Sequence, residues 1–212
     1  MTKKERAAEV TALLKEAYPD AVCALHYTKD YELLFATRLS AQCTDVRVNI
    51  VTKELFSRFP TLEDYALAPI EEIEEAIKTC GLYHTKARDL KAAAVMLLSD
   101  FGGKVPDNMA DLLKLPGIGR KTANLILGDI YGQPAVVTDT HCIRLSNRLG
   151  FVKDEKDPVK VETALRKILD PAESSDFCHR LVLHGREVCT ARAPKCAACC
   201  LAVCCPSFPI GK

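Results

Sequence analysis

The chain has 212 residues, of which 48% are hydrophobic and 27% are charged, and its formal net charge at pH 7 is +1. This hydrophobic content excludes intrinsic disorder as the main state, and no apolar run reaches the roughly 20 residues that a transmembrane helix needs. Because the net charge is close to zero, a binding site for a polyanion has to be a local basic patch. We therefore expect a soluble, cytoplasmic, globular protein whose charged N-terminus carries no export signal.

Apolar residues recur at intervals of three and four along most of the chain, which predicts an all-α fold without a β-sheet. The expected helices, in chain order, are residues 3–17, 31–41, 45–58, 62–67, 70–79, 84–100, 108–114, 120–131, 140–149, 158–169 and 176–188. Thr61 and Asp64 have the spacing of a capping box, and we expect Asp107 and Ser175 to cap the helices near them. The periodicity is lost after residue 188, so something other than a hydrophobic core is expected to order the C-terminal tail.

A glycine turn, LPGIGRKTANL at residues 115–125, joins two of the predicted helices. Gly117 and Gly119 have no Cβ atom, so their backbone can adopt a positive φ and approach a partner closely. The next helix is expected to begin at Arg120, and the positive end of a helix dipole with its free N–H groups favours an anion. The sequence therefore favours a phosphate-binding turn. A turn that only packs two helices, with Lys121 solvated at the surface, is the alternative.

Asp139 follows an apolar run and precedes a helical pattern in AVVTDTHCIRLSNRLG. An aspartate in this position is a good N-cap, and capping alone accounts for it. An N-cap carboxylate is also fixed in direction beside the positive end of the helix dipole, so it can serve as a charged catalytic group. The two roles are compatible.

Six of the eleven cysteines lie between residues 189 and 205. We expect these thiols to be reduced, because the chain is much larger than secreted disulfide scaffolds. Four of them follow the spacing C-x6-C-x2-C-x5-C: Cys189, Cys196, Cys199 and Cys205. Four thiolates so close in sequence can bind either tetrahedral zinc or an iron–sulfur cluster, and spacing alone does not choose between them. Cys200 and Cys204 lie outside this pattern.

The LPGIGRKTA turn, the VTDTH segment at residues 137–141 and the cysteine spacing resemble the endonuclease III family of helix-hairpin-helix DNA glycosylases. Two further segments, YELLFATRLSAQCTDVRVN and IKTCGLYHTKARDL, resemble the same family, so that the similarity covers nearly the whole chain. The resemblance implies a two-lobed helical fold. One domain is expected to comprise residues 22–133, and the other residues 1–21 with 134–212.

The resemblance also implies a chemistry, that of a bifunctional DNA glycosylase and AP lyase acting on oxidised pyrimidines. Lys121 would attack C1′ of an extruded nucleotide, displace the damaged base and form a Schiff base, after which β-elimination cuts the strand on the 3′ side. Asp139 would lie across the pocket, stabilise positive charge on the sugar and help to transfer protons. With the nucleotide extruded, Lys121 would be partly desolvated beside Arg120, and desolvation favours a neutral amine.

Further roles follow from the resemblance alone. A [4Fe-4S] cluster would be held by Cys189, Cys196, Cys199 and Cys205. Gln42 and Leu82 would enter the DNA duplex and fill the space left by the extruded nucleotide. Without the resemblance, Gln42 would be a polar helix-end residue and Leu82 a core or Schellman contact. Contacts with the DNA backbone are implied for Leu115, Gly117, Gly119, Arg120, Arg192 and Lys195.

Other classes of protein share parts of this pattern. A monofunctional adenine-mismatch glycosylase has the hairpin, the aspartate and the cluster, but usually lacks the lysine and carries a further C-terminal domain. A non-catalytic DNA-binding scaffold would not need Lys121 together with Asp139, and an iron–sulfur electron carrier would not need the hairpin. We therefore expect a monomeric bacterial or archaeal repair enzyme whose partner is double-stranded DNA with damaged bases or abasic sites, and which has no membrane association.

Overall fold

The computed structural model describes residues 1–210, and within these residues it contains helices and turns but no β-strand. The α-helices of the described residues, labelled α1 to α11 in chain order, are Lys3–Ala17, Asp30–Leu39, Asp45–Arg58, Leu62–Leu67, Ile70–Ile77, Tyr83–Phe101, Met109–Leu112, Arg120–Asp129, Thr140–Arg148, Pro158–Arg166 and Ser174–Glu187. Short 3₁₀ turns lie at Lys78–Cys80, Pro171–Glu173 and Cys196–Ala198. The all-α prediction is confirmed. Over residues 1–210, none of the helices is both long and apolar enough to span a bilayer.

The helix starts agree with the sequence because local capping groups define them. At α4, the Thr61 hydroxyl accepts a hydrogen bond from the Asp64 N–H at 3.2 Å, and the Asp64 carboxylate accepts one from the Thr61 N–H at 2.8 Å. This reciprocal pair is the predicted capping box. The C-terminal ends are less well predicted, and α10 ends at Arg166, three residues before the expected end at 169.

Two of the predicted caps were wrong. Asn108, and not Asp107, caps α7, because Asn108 has extended backbone and its side-chain oxygen accepts from the Asp111 N–H at 3.0 Å. The helix α11 begins at Ser174, directly after the 3₁₀ turn Pro171–Glu173, so Ser175 lies inside its first turn. Side-chain caps at neighbouring positions compete, and the backbone geometry decides which one is used.

The chain divides into two compact units. One consists of Cys23–Tyr131, and the other of Met1–Val22 with Gly132–Lys212. Residues 211 and 212, which the predicted domain 134–212 includes, lie outside the described residues. The assignment of independent domains from the sequence stays a prediction.

The unit Cys23–Tyr131 is organised around α6, which packs against α2, α4 and α5. Tyr65 on α4 is fully buried and meets Phe35 on α2 edge to face, with ring centroids 4.8 Å apart. The buried face of α6 includes Leu90, Ala94 and Leu97. The helix pair α7 and α8 joins this core through α2, which packs against α8. As a result, the hairpin between α7 and α8 is held by a rigid group of helices.

In the other unit, α11 packs against α1 and α9. Its core contains Leu14, Phe151, Phe177 and Leu181, all with at most 1% of their surface exposed. This packing fixes α9, whose first turn follows Asp139. It also fixes the end of α11, from which the cysteine-rich tail departs.

Candidate functional site

The glycine turn between α7 and α8 packs on an ion pair. Arg38 at the end of α2 donates through Nε to Asp89 Oδ2 on α6 at 2.7 Å, and its Nη2 lies 2.6 Å from the same oxygen. Gly117 has φ +72°, and a Cβ atom added there would lie 2.5 Å from Arg38 Nε and 2.6 Å from Asp89 Oδ2. Gly117 is therefore required both by the backbone conformation and by the approach of the ion pair.

The second glycine of the turn has a different role. Gly119 has φ −103° and ψ 176°, which is ordinary extended backbone, so it does not use the positive φ that glycine permits. It is the N-cap of α8, and it provides no side chain to bond the first N–H groups of that helix. A Cβ atom added at Gly119 would meet no other atom within 4 Å. Glycine here leaves the N-terminus of α8 open to a ligand, which is the arrangement that favours an anion.

The predicted turn residues differ in accessibility. Gly117, Gly119, Arg120 and Lys121 are all exposed. Lys121 lies in the first turn of α8, and its expected desolvation beside an extruded nucleotide stays a prediction. Leu115 is only 2% exposed, so its side chain packs inside the unit, and its implied contact with the DNA backbone stays a prediction. The sequence could not reveal this, since leucine is common in both environments.

Asp139 is the N-cap of α9, as one of its two predicted roles requires. Its Oδ1 accepts a hydrogen bond from the Cys142 N–H at 2.7 Å. The residue is half-buried, and the apolar segment before it, Ala135–Thr138, is buried. The carboxylate is thus held in a fixed direction at the N-terminus of α9. Its predicted catalytic role stays a prediction.

Gln42 and Leu82, the residues expected to enter DNA, are exposed and have unusual backbone. Their φ angles are 55° and 49°, and Asp154 is the one other non-glycine residue with a positive φ among residues 1–210. The Leu82 residue is 57% exposed, so the alternative that it is a core contact was wrong. An exposed apolar side chain on strained backbone is typical of a functional position, because such strain persists only where the surrounding structure imposes it.

The four cysteines of the predicted spacing converge on one cavity. Cys189, Cys196, Cys199 and Cys205 all line it, together with side chains such as Phe208, whereas Cys200 and Cys204 do not. Every cysteine is a free thiol. Within residues 1–210, no three histidine, cysteine or acidic side chains are grouped closely enough to hold a single metal ion.

Hydrogen bonds from neighbouring groups point at these sulfur atoms. Arg148 Nη1 lies 3.2 Å from Cys189 Sγ, the Ile210 N–H lies 3.4 Å from Cys196 Sγ, and His184 Nε2 lies 3.4 Å from Cys199 Sγ. Burial raises the pKa of the Cys199 thiol to about 11, so a thiolate there needs a compensating positive charge. A thiophilic metal centre supplies such a charge, and sulfur atoms are the donors that such a centre prefers.

Arg148 also attaches the loop that follows α11. Its guanidinium donates to the carbonyl oxygens of Thr190 at 2.8 Å and Ala191 at 2.9 Å. This loop carries the exposed residues Arg192 and Lys195. Both cations are thus presented to solvent on a segment fixed by α9.

Comparison with known proteins identifies the family. Residues 35–171 match the family described as HhH-GPD superfamily base excision DNA repair protein. The chain is 45% identical over 207 residues to the endonuclease III of Synechocystis sp., an alignment that spans 97% of this chain and 94% of that relative. It belongs to the endonuclease III family. The resemblance seen in the sequence is confirmed.

A second relative and a solved structure support the endonuclease III assignment. The endonuclease III of Bacillus subtilis is 42% identical over 184 residues, which span 87% of this chain and 84% of the relative. A solved structure described as a trapped endonuclease III–DNA covalent intermediate is 41% identical and superposes with a TM-score of 0.91 over 97% of each chain. The helix-hairpin-helix fold of the family is therefore the fold of this chain.

Sequence reasoning missed the groups that support the site. These are the ion pair of Arg38 with Asp89, the buried Lys86, and the anchoring of the tail by Arg148. Lys86 and Asp89 lie within the quoted segment IKTCGLYHTKARDL, but nothing in its local pattern separates them from exposed helical residues. Most of their partners are distant in the sequence, so only the folded structure reveals them.

The two glycines of the hairpin should respond differently to alanine. Gly117→Ala forces a side chain into left-handed backbone and against Arg38, and should lower the free energy of unfolding by about 1–3 kcal/mol. Gly119→Ala is the matched control, and its free energy of unfolding should change by less than about 0.5 kcal/mol. Urea unfolding of both variants measures the difference. Equal destabilisation by the two substitutions would contradict this account of the turn.

Proposed function

We infer that this chain is a base excision DNA repair enzyme, a DNA glycosylase with AP lyase activity. It removes a damaged base from DNA and then cleaves the strand 3′ to the abasic site by β-elimination. The observation that carries this conclusion is Lys121, an exposed amine in the first turn of a helix without a side-chain cap, in a chain that belongs to the endonuclease III family. Oxidised pyrimidines are the proposed substrates, and double-stranded DNA with damaged bases or abasic sites is the proposed partner.

The open N-terminus of α8 is the proposed anchor for the DNA backbone. Backbone N–H groups of the turn and the positive end of the helix dipole attract a phosphate. Arg120 adds a cation in the first turn, and Arg192 and Lys195 are proposed to contact further phosphates. Such contacts are independent of base sequence, as a repair enzyme that searches DNA requires. They also give a fixed reference against which one nucleotide can be extruded.

Lys121 is the proposed nucleophile. The neutral amine attacks C1′ of the extruded nucleotide, the N-glycosidic bond breaks, and the base departs with the bonding electrons and takes up a proton. Opening of the sugar ring leaves a Schiff base between Lys121 and C1′. Loss of a proton from C2′ then expels the 3′ phosphate. Because Lys121 is exposed in the free protein, the bound DNA must exclude the water around it.

Asp139 is proposed to provide the negative charge that this reaction needs. Positive charge develops on the sugar as the glycosidic bond breaks, and a fixed carboxylate stabilises it without reorganisation. The same group can carry protons among the lysine, the ring oxygen and the leaving base. Its hydrogen bond with the Cys142 N–H supports this role, since it fixes the direction of the carboxylate.

A [4Fe-4S] cluster bound by Cys189, Cys196, Cys199 and Cys205 is the proposed cofactor. The convergence of these four thiols on one cavity, and the N–H groups directed at their sulfur atoms, support the proposal. When bound, the cluster would crosslink the tail and supply no chemistry to the base. Arg148 and the neighbouring carbonyl groups hold the loop that presents Arg192. A cytoplasmic location and a monomeric state stay predictions from the sequence.

Lys121→Gln should separate binding from chemistry. The substitution removes the amine but leaves the backbone donors of the turn, so affinity for abasic duplex should stay within about fivefold of the native protein. Covalent trapping with borohydride and strand cleavage should both disappear. Lys114→Gln is a suitable control, because Lys114 is an exposed lysine on the other side of the turn. Persistent trapping by Lys121→Gln would mean that another amine is the nucleophile.

Asp139→Asn should separate capping from catalysis. Asparagine caps a helix about as well as aspartate, so the melting temperature should be nearly unchanged. Loss of the charge should lower the rate of base excision by a factor of about 10² or more. Asp139→Ala provides the comparison, because it should also lose about 1 kcal/mol of stability. An Asp139→Asn protein with native excision rates would exclude the proposed charge stabilisation.

The cofactor assignment predicts a difference between adjacent cysteines. The purified protein should contain about four iron atoms per chain and show the visible absorbance of an iron–sulfur cluster. Cys196→Ser should lose iron and this absorbance, whereas Cys200→Ser should keep both. Metal analysis and absorbance spectroscopy measure the two effects. Stoichiometric zinc in place of iron would refute the assignment.

A further inference from the structure

The ammonium group of Lys86 is completely buried and fully hydrogen-bonded. Lys86 has 0% of its surface exposed. Its Nζ donates to the carbonyl oxygens of Leu39 at 2.9 Å, Ala41 at 2.8 Å and Cys80 at 2.6 Å. A lysine ammonium has three N–H groups and no acceptor, so these three bonds use all of its donors. Burial of a charged group is unfavourable unless it is satisfied in this way.

The three carbonyl groups belong to two separate segments of the chain. Leu39 ends α2, and Ala41 lies immediately before Gln42. Cys80 ends the 3₁₀ turn that precedes Gly81 and Leu82. One ammonium group therefore connects the loop that carries Gln42 with the loop that carries Leu82. It lies at the carbonyl ends of two helical segments, where a positive charge is favourable.

Both connected loops contain strained backbone. Gln42 and Leu82 have positive φ angles, which residues other than glycine rarely adopt. Such conformations persist only where neighbouring contacts impose them. The bonds from Lys86 fall one residue before Gln42 and two residues before Leu82. Lys86 is thus in a position to impose both conformations at once.

We propose that Lys86 is a positioning residue for nucleotide extrusion. It holds the loops of Gln42 and Leu82 in the arrangement in which their exposed side chains enter the gap left by the extruded nucleotide. The proposal rests on the proposed function, since it concerns the step that precedes base excision. Lys86 itself does not contact DNA, because its side chain is buried, and it acts through the carbonyl groups of the two loops.

A matched pair of substitutions on α6 tests this role. Lys86→Met removes the ammonium group and keeps an apolar chain of similar length. Lys91→Met is the control, because Lys91 lies on the same helix and also donates to a carbonyl group, that of Ala68 at 2.5 Å. The probe is duplex DNA with a tetrahydrofuran abasic analogue beside 2-aminopurine. The fluorescence of 2-aminopurine rises when an inserted side chain unstacks it.

The native protein and Lys91→Met should give the full fluorescence rise with the abasic duplex. Lys86→Met should lose at least half of this rise, and its excision rate on a duplex lesion should fall at least tenfold. Cleavage of an abasic site in a single strand should stay within about twofold of native, because no stack has to be opened there. A full rise with Lys86→Met would overturn the proposal.

A double substitution distinguishes positioning from general destabilisation. If Lys86 acts through Leu82, then Lys86→Met with Leu82→Ala should lower the duplex excision rate no more than the larger single effect. Independent effects would multiply, and a multiplied loss would contradict the proposal.

Should Lys86→Met fail to fold, Lys86→Arg replaces it. Its guanidinium keeps the charge, but its planar donors do not match three converging carbonyl groups, so the fluorescence rise should still decrease, and an unchanged rise would refute the role.

The proposed function and this proposal fail in different ways. If the native protein neither cleaves nor traps an abasic site, in duplex as in single-stranded DNA, the proposed function is wrong. If the native protein does both, but Lys86→Met and Lys86→Arg insert into the abasic duplex as the native protein does, only the role of Lys86 is wrong.

Discussion

The interaction on which the hairpin unit depends is the ion pair between Arg38 and Asp89. It joins the end of α2 to α6, and Gly117 closes over it at a distance that leaves no room for a Cβ atom. The turn before α8 is therefore fixed by a charged contact beneath it. α8 starts directly after this turn. Three residues further back on α6, Lys86 fixes two more loops by the same means, a charged side chain that satisfies groups from distant segments.

Each of the two proposed chemical groups lies at the N-terminus of a helix. Lys121 lies in the first turn of α8 and Asp139 immediately precedes the first turn of α9. Helix N-termini have fixed positive dipoles, which attract phosphates and orient carboxylates. The two positions differ in how the helix end is satisfied. A side chain caps α9, whereas α8 begins at a glycine and remains available to a ligand.

Hydrogen bonds from α9 hold the start of the C-terminal tail. Arg148 binds the carbonyl groups of the loop after α11, and N–H groups approach the sulfur atoms of Cys189 and Cys196. The sequence predicted that something other than a core orders this tail, and these hydrogen bonds are contacts of that kind. Arg148 belongs to a helix that ends 41 residues before Cys189, so no local pattern could have identified it as an anchor.

The sequence by itself determined the helices, the family and the candidate chemical groups, because these depend on local periodicity, capping and motif spacing. The capping box of Thr61 with Asp64 and the N-cap at Asp139 were predicted for this reason. In each case the hydrogen-bonded residues lie three positions apart in the sequence. The tertiary structure decided what distant segments do to one another. It buried Leu115, gave Gly119 ordinary backbone, and left Leu82 exposed in a strained conformation. It also decided that Lys86 is internal, because a lysine is stable there only when carbonyl groups from two other segments converge on it.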